Sequence, residues 1–153
     1  MPLSSGREMT PWWASQGGFM INGQFDRTGR WVAYQSSESG QIDVYVAAFP
    51  GPGVKRQISS GGGVLPLWRG DGKELYYLAP DDTLMAATIA STESTIDVTD
   101  VRPLFKTRRK LLQNATGYPY AVSADGTRFL INTTPEQQAS EPLTVVLNWT
   151  AGL

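Results

Sequence analysis

Cysteine and histidine are both missing from the 153 residues. Their absence removes disulfides, thiolate zinc sites, imidazole ligands and every Ser-His or Cys-His nucleophile pair. A cysteine-free chain folds in either redox compartment, so the count carries no information on location. Charge of one sign is also lacking: 13 basic and 14 acidic residues leave a formal net charge of −1. No global field draws in nucleic acid or an anionic membrane, and a partner must be recognised locally. Nowhere do about 18 apolar residues run together. The segment Met1-Pro2-Leu3-Ser4-Ser5-Gly6-Arg7 has no basic region leading into a long apolar stretch. The expectation is no signal peptide and no membrane insertion, with any export needing an upstream segment. No apolar stretch at helical spacing is long enough to predict a helix.

What is present is punctuation and repetition. Sixteen glycines and ten prolines divide short runs rich in Val, Ile, Tyr, Phe, Trp and Thr, an all-β pattern. Three times a large apolar residue precedes a short Asp/Gly turn and a hydrophobic run. The copies are Phe25-Asp26-Arg27-Thr28-Gly29-Arg30-Trp31-Val32-Ala33-Tyr34, Trp68-Arg69-Gly70-Asp71-Gly72-Lys73-Glu74-Leu75-Tyr76-Tyr77 and Val122-Ser123-Ala124-Asp125-Gly126-Thr127-Arg128-Phe129-Leu130-Ile131. Aligned on Gly29, Gly72 and Gly126 they lie 43 and 54 residues apart, the period of a four-stranded propeller blade with an insertion in the second interval. The fold class is therefore all-β, a partial β-propeller of about three four-stranded antiparallel blades.

The turn residues are Asp26, Gly29, Asp71, Gly72, Asp125 and Gly126, where glycine takes positive φ without a Cβ clash. The runs after them are apolar on both alternating faces, which predicts cover on two sides. Phe25, Trp31, Tyr34, Trp68, Leu75, Tyr77, Val122, Phe129 and Ile131 are the expected blade core. Strands are expected over 19–25, 31–36, 42–49 and 55–59, then 65–69, 74–78, 84–90 and one between 95 and 105, then 118–123, 128–132 and 143–149. The chain reads as one domain: a preceding blade's tail and linker over 1–18, blades over 19–60 and 64–107, and an incomplete last blade over 118–153. Propellers have roughly 4–8 blades, so three are expected to be a fragment needing upstream blades, or half of a homodimeric ring.

No segment assigns a catalytic, cofactor-binding or metal-binding residue. Gly51-Pro52-Gly53 and Gly61-Gly62-Gly63 lack the strand, helix and Lys-Ser/Thr context of a phosphate loop and read as turns. Arg69-Gly70-Asp71 spells a receptor-binding tripeptide but falls in the repeated turn. Lys106-Thr107-Arg108-Arg109-Lys110 is the one dense basic cluster. Without interleaved aromatics it reads as a solvated loop, and no nucleic-acid partner is expected. A carboxylate-dependent hydrolase or lyase would need two acidic side chains on one pocket with separated pKa values. Asp81 and Asp82, like the turn aspartates, read as turn residues instead. The triplets at Asn114, Asn132 and Asn148 match the short N-glycosylation pattern, and Asn132 and Asn148, which close apolar strands, read as structural.

Three segments together resemble the TolB-like, or WD40-like, β-propeller repeat. They are Gly29-Arg30-Trp31-Val32-Ala33-Tyr34-Gln35-Ser36, Val44-Tyr45-Val46 followed by Phe49-Pro50-Gly51, and Trp68-Arg69-Gly70-Asp71-Gly72-Lys73-Glu74-Leu75-Tyr76-Tyr77-Leu78. The family's usual Ser-Pro-Asp-Gly turn is written here as Asp26-Arg27-Thr28-Gly29, Arg69-Gly70-Asp71-Gly72 and Ser123-Ala124-Asp125-Gly126. The ending, Val145-Val146-Leu147-Asn148-Trp149-Thr150-Ala151-Gly152-Leu153, resembles the tail of propellers attached to bacterial serine/threonine protein kinases. That resemblance implies a non-catalytic sensor or scaffold that binds a protein or small ligand on a propeller face, with no cofactor. It is extracytoplasmic where a membrane kinase carries it and cytoplasmic as an isolated chain. Similar propellers precede prolyl-oligopeptidase-type hydrolase domains, an alternative parent. This chain contains neither the kinase nucleotide and catalytic loops nor a Gly-x-Ser-x-Gly elbow.

Overall fold

The computed structural model describes residues 12, 18–51, 53–107, 117–133 and 143–147. Among the described residues eleven strands follow one another without a helix: β1 (Met20–Phe25), β2 (Trp31–Ser36), β3 (Asp43–Ala48), β4 (Lys55–Gln57), β5 (Val64–Trp68), β6 (Glu74–Leu78), β7 (Thr83–Ser91), β8 (Ile96–Lys106), β9 (Tyr120–Val122), β10 (Arg128–Asn132) and β11 (Leu143–Leu147). They form three antiparallel sheets with orders β1-β2-β3-β4, β5-β6-β7-β8 and β11-β10-β9, hereafter blades one, two and three. Sequential neighbours pair throughout, as in a meander.

The sheets stack face to face, and the layers between them are the core. Trp31, Ala33, Val44, Val46 and Ile58 of blade one pack on Leu75, Tyr77, Ala87, Ile89 and Ile96 of blade two. The opposite face of blade two, with Tyr76, Leu78, Leu84 and Ala86, packs on Tyr120, Phe129 and Ile131 of blade three. Every residue of β6 is consequently buried; β2 is buried too, its far face, with Val32 and Tyr34, packing with Tyr45, Ala47, Trp12 and Met20 rather than with another blade. Burying such a side chain fully contributes about 1.5–3 kcal/mol, and no isolated blade could bury both faces of its second strand.

Two expectations are corrected here. The third hydrophobic run is not covered on both sides: β10 alternates, with Phe129 and Ile131 buried and Leu130 43% exposed. Among the described residues no sheet lies beyond blade three to cover it. Phe25 is not core but 56% exposed, its ring edge-on to Phe49 at 4.9 Å. Trp68, at the aligned position, is half-buried because blade one lies over it and its indole N–H donates to the Gln24 carbonyl at 3.1 Å. Among the described residues no sheet lies before blade one to do the same for Phe25. Trp31, Tyr34, Leu75, Tyr77, Phe129 and Ile131 are buried, and Val122 is half-buried.

Polar bonds lock the inner strands across the blades. β1 and β5 each break register once, leaving Asn22 and Leu65 at φ 57°. A bulky side chain in that region costs about 1–3 kcal/mol unless its surroundings hold it there. Leu65 is held from both sides, its N–H donating to Gln35 Oε1 at 2.8 Å and its carbonyl accepting from the Tyr120 hydroxyl at 2.6 Å. The same Gln35 oxygen accepts from Asn22 Nδ2 at 3.0 Å, and the Tyr118 hydroxyl sits 3.1 Å from both the Asn22 and Pro66 carbonyls. One strained residue thus joins all three blades. Gln35→Leu and Tyr120→Phe should each lower stability by about 1–3 kcal/mol in urea titrations. Their double variant should lose less than the sum, because both act through the Leu65 peptide.

Candidate functional site

The hairpin turns predicted from the repeats line one face of the stack. Asp26 to Gly29, Arg69 to Gly72 and Ser123 to Gly126 are each closed by a hydrogen bond from the glycine N–H to the first residue's carbonyl, at 3.1, 2.9 and 2.8 Å. Gly29, Gly72 and Gly126 have φ of 70°, 74° and 74°. The turns also touch one another. The Gly70 N–H donates to the Ala124 carbonyl at 3.0 Å, and a Cβ at Gly70 would lie 2.6 Å from that oxygen.

Carboxylates on this face are committed to the fold. Asp26 is buried and accepts from the backbone N–H groups of Thr28, Arg30 and Trp31 and from the Thr28 hydroxyl. Asp71 is clamped by Arg69 and accepts from the Lys73 N–H, which draws its pKa down to about 2. Asp125, fully solvated, accepts from the Ser123 hydroxyl and the Thr127 N–H and is likewise drawn down to about 2. Arg69 also pairs with Glu74 at 2.9 Å, so Arg69-Gly70-Asp71 presents no free guanidinium for a receptor. Glu74 accepts as well from Arg102 and from the Tyr76 hydroxyl at 2.8 Å. Burial pushes the Glu74 carboxyl up, but the Arg102 and Tyr76 bonds and the two guanidinium charges hold it below its usual range.

The opposite face carries the concave surface. An apolar cleft of about 380 Å³ lies between blades one and two. Gln41 and Ile42 from the β2–β3 loop, Gly61, Gly62, Gly63 and Val64 from the link into β5, and Leu78, Ala79, Pro80 and Asp82 from the β6–β7 turn line it. Glycine is required in the link. Gly62 has φ 104°, and its Cβ would lie 2.5 Å from Pro80 Cγ, while a Cβ at Gly63 would lie 2.6 Å from Ser59 Oγ. Glycine here brings bare backbone against two blades.

Asp43 shapes the cleft from beneath. Its fully buried carboxylate accepts five hydrogen bonds: Ser39 Oγ at 2.9 Å, Gln41 Nε2 and Gln57 Nε2 at 3.1 Å, Ser59 Oγ at 2.7 Å and the Gly62 N–H at 3.0 Å. Burial alone would raise its pKa, but the bonds from Ser59, Gln41, Ser39 and Gly62 outweigh burial and hold it below 3.8. The loop before β3 and the link after β4 are thereby tied to one point. Blade two has Thr83 in the aligned place, and its outer strand is tied instead by Thr107, whose N–H and hydroxyl donate to the Asp82 carbonyl at 3.0 and 2.9 Å.

The repeat alignment did not single out Asp43, Ser59, Gln35, Glu74 or Arg102. The available signal was a polar side chain inside or abutting a run buried on both faces, which needs internal partners. Among the remaining motifs, Asp81 accepts from the Thr83 N–H and pairs with Lys106 at 3.3 Å, and Asn132 is exposed at the end of β10. Pro52, residues 108–110, Asn114 and the ending from Asn148 lie outside the described residues, as does the 1–18 tail apart from Trp12 and Gly18. Among the described residues no group of three or more acidic side chains could hold a metal ion, and no helix is long and apolar enough to cross a membrane.

Solved structures similar to the chain include these two. One is the β-propeller domain of Cps50 (Swd1) from Myceliophteria thermophila, at 14% identity and a TM-score of 0.53, covering 86% of this chain and 38% of that one. The other is oligogalacturonate lyase from Vibrio parahaemolyticus, at 15% identity and a TM-score of 0.46, covering 70% of this chain and 26% of that one. The chain thus spans about a quarter to two fifths of the solved chains it matches. No protein-family model matches it, nor does any curated protein. The stacked sheets and the first likeness together establish a partial β-propeller.

Acid should unfold this protein through its buried carboxylates. Asp26, Asp43 and Glu74 have lower pKa values folded than unfolded, so their contribution is complete above the unfolded values of 3.8 and 4.5 and is lost as pH falls through the folded ones. Asp43→Asn turns one acceptor oxygen into a donor among donors and should cost about 3 kcal/mol at neutral pH. Urea midpoints taken from about pH 6 down to about pH 2 should then fall less steeply in the variant than in the parent.

Proposed function

We propose that this chain is a non-catalytic propeller module whose contact surface is the cleft between blades one and two. Its ligand is an apolar side chain or short apolar segment of a protein, or a small molecule of that character. The observation that carries this reading is the cleft itself, a concave apolar surface where three connections converge on the face away from the hairpin turns. A carboxylate mechanism would need one acid kept protonated beside one kept ionised. Asp26, Asp43, Asp71, Glu74 and Asp125 are all shifted downward, each by hydrogen bonds within the fold, which disfavours that alternative.

The TolB-like turns and the kinase-type ending support a finer reading, in which the module is the sensor or scaffold part of a bacterial serine/threonine kinase. The propeller would then lie outside the cytoplasm where a membrane span separates it from the kinase domain. An upstream reading frame encoding a kinase domain supports this, and a frame encoding a different enzyme overturns it.

Binding at the cleft is tested by amide chemical-shift mapping with N-acetyl-leucinamide and N-acetyl-prolinamide as probes. The expected shifts cluster at Gln41, Ile42, Gly61 to Val64 and Ala79 to Asp82. Ile42→Asp should abolish them while leaving the rest of the spectrum in place. Shifts spread over the β1–β2 and β5–β6 turns instead would reject the site, and turnover of peptide or glycoside substrates by the purified chain would reject the non-catalytic reading.

A further inference from the structure

We propose that the cleft between blades one and two takes a peptide segment in which a lysine or arginine flanks the apolar side chain that enters. This deepens the reading of the cleft as the contact surface and rests on it. Among the described residues the lining holds no lysine or arginine, and its single ionisable side chain is Asp82. Beneath the cleft lies the fully buried Asp43, whose hydrogen-bond donors among the described residues are all neutral, the N–H of the lining residue Gly62 included. Its charge is felt by its neighbours, since it adds to burial in raising the pKa of the Tyr77 hydroxyl. Apolar walls with charge of one sign focus that field into the opening.

Asp82 stands where the fold would be served by glycine. Among the described residues five turns are closed by the N–H of the fourth residue on the carbonyl of the first, at Gly29, Gly40, Gly72, Asp82 and Gly126. The four glycines have φ of 70°, 91°, 74° and 74°, and only in the turn beside the cleft does the closing residue carry a side chain, at φ 63°. Aspartate enters this region more readily than most residues because its side chain can bond locally. The Asp82 carboxylate makes no such bond, and no ion pair reaches it, whereas Asp81 is taken by the Thr83 N–H at 3.1 Å and by Lys106 at 3.3 Å. What the fold uses of Asp82 is its backbone, which closes the turn and accepts from the Thr107 N–H and hydroxyl. The carboxylate is therefore left for a ligand.

A cation beside an apolar group matches this pairing of walls and charge. Lysine and arginine lay an apolar stem along such a surface and keep the charged head at its edge. Gly61, exposed in the lining, makes no hydrogen bond among the described residues, so its main-chain groups are open to those of a peptide. An acidic segment would meet like charges and be disfavoured.

Amide chemical-shift titrations of the full chain with N-acetyl-leucyl-lysinamide, and with the corresponding glutamine and glutamate dipeptide amides, test this. At low salt the lysine probe should bind about threefold more tightly than the glutamine probe, and the glutamate probe about threefold more weakly. The spread should shrink in about 0.5 M salt, where such charges are screened. Asp82→Asn keeps the size of the side chain and suits the same φ. It should remove most of the preference while leaving the glutamine probe's affinity unchanged. If that variant loses its β-sheet spectrum, Asp82→Gly serves in its place. Equal binding of the three probes, with shifts still clustered at the cleft, overturns this inference and leaves the cleft standing as an apolar site. A preference for lysine that Asp82→Asn does not diminish overturns it too. Absence of cleft shifts with every probe rejects the cleft itself, and this inference with it.

Discussion

Burial of a strand on both of its faces is the constraint from which the rest follows. β6 exposes nothing, so it must be pressed between two layers. A sheet within a stack meets that demand only through its neighbours. Blade one supplies half of the cover of blade two, and blade three supplies the other half. Stability in such an array is a sum of interface contributions rather than a property of any single sheet. The outermost sheets are where the pattern is incomplete, and the exposed Phe25 and Leu130 mark the two ends.

Apolar layers alone would allow the sheets to slide, and the polar groups remove that freedom. Leu65 is bonded forward to Tyr120 and backward to Gln35, so its unfavourable φ is over-determined by two other blades. Glu74, under the hairpin turns, joins Arg69 at the head of blade two to Arg102 on its outer strand. Gln35, Tyr120 and Glu74 are buried, and each has partners, which is the condition under which a buried polar group adds specificity without a desolvation penalty. Asp43 goes further, since all five of its hydrogen-bond donors among the described residues are neutral. Its charge is stabilised by oriented dipoles, two of them from the segments that line the cleft.

Much of this architecture was legible in the residues. The spacing of Gly29, Gly72 and Gly126 reported the blade period, and the boundaries of β2, β6 and β10 coincide with the expected ones because a turn glycine precedes each. The exceptions share a cause. Phe25 and Leu130 have core composition but occupy ends of the stack, and composition does not report whether a neighbour exists. Pro119 occupies the place in the third copy that Asn22 and Leu65 occupy in the first two. Its ring fixes φ at a negative value, and β9 pairs in unbroken register. The bulges could not be read from leucine or asparagine alone, because the strain is offset by residues 13 to 55 positions away. The cleft was illegible for the same reason: Gly61-Gly62-Gly63 announces a turn, but only the approach of Pro80 and the Asp43 carboxylate makes that turn the wall of a cavity.

The two faces of the stack differ in how their backbone is used, and the difference bears on function. On the hairpin face the glycines allow neighbouring turns to touch, and the side chains there are bonded to one another, leaving little that a ligand could gain by displacing them. On the cleft face the glycines withdraw side chains from the surface, and Asp43 consumes the polar groups beneath it. What remains facing solvent is mostly apolar, with Ile42 36% exposed at its edge and Gln41 and Asp82 at the rim. A surface whose polar demands are met from inside, and whose apolar atoms are uncovered, gains most from a ligand that brings apolar atoms of its own. The carboxylate that stabilises blade one thus also fixes the loops that line the cleft, so fold and cleft depend on one buried charge.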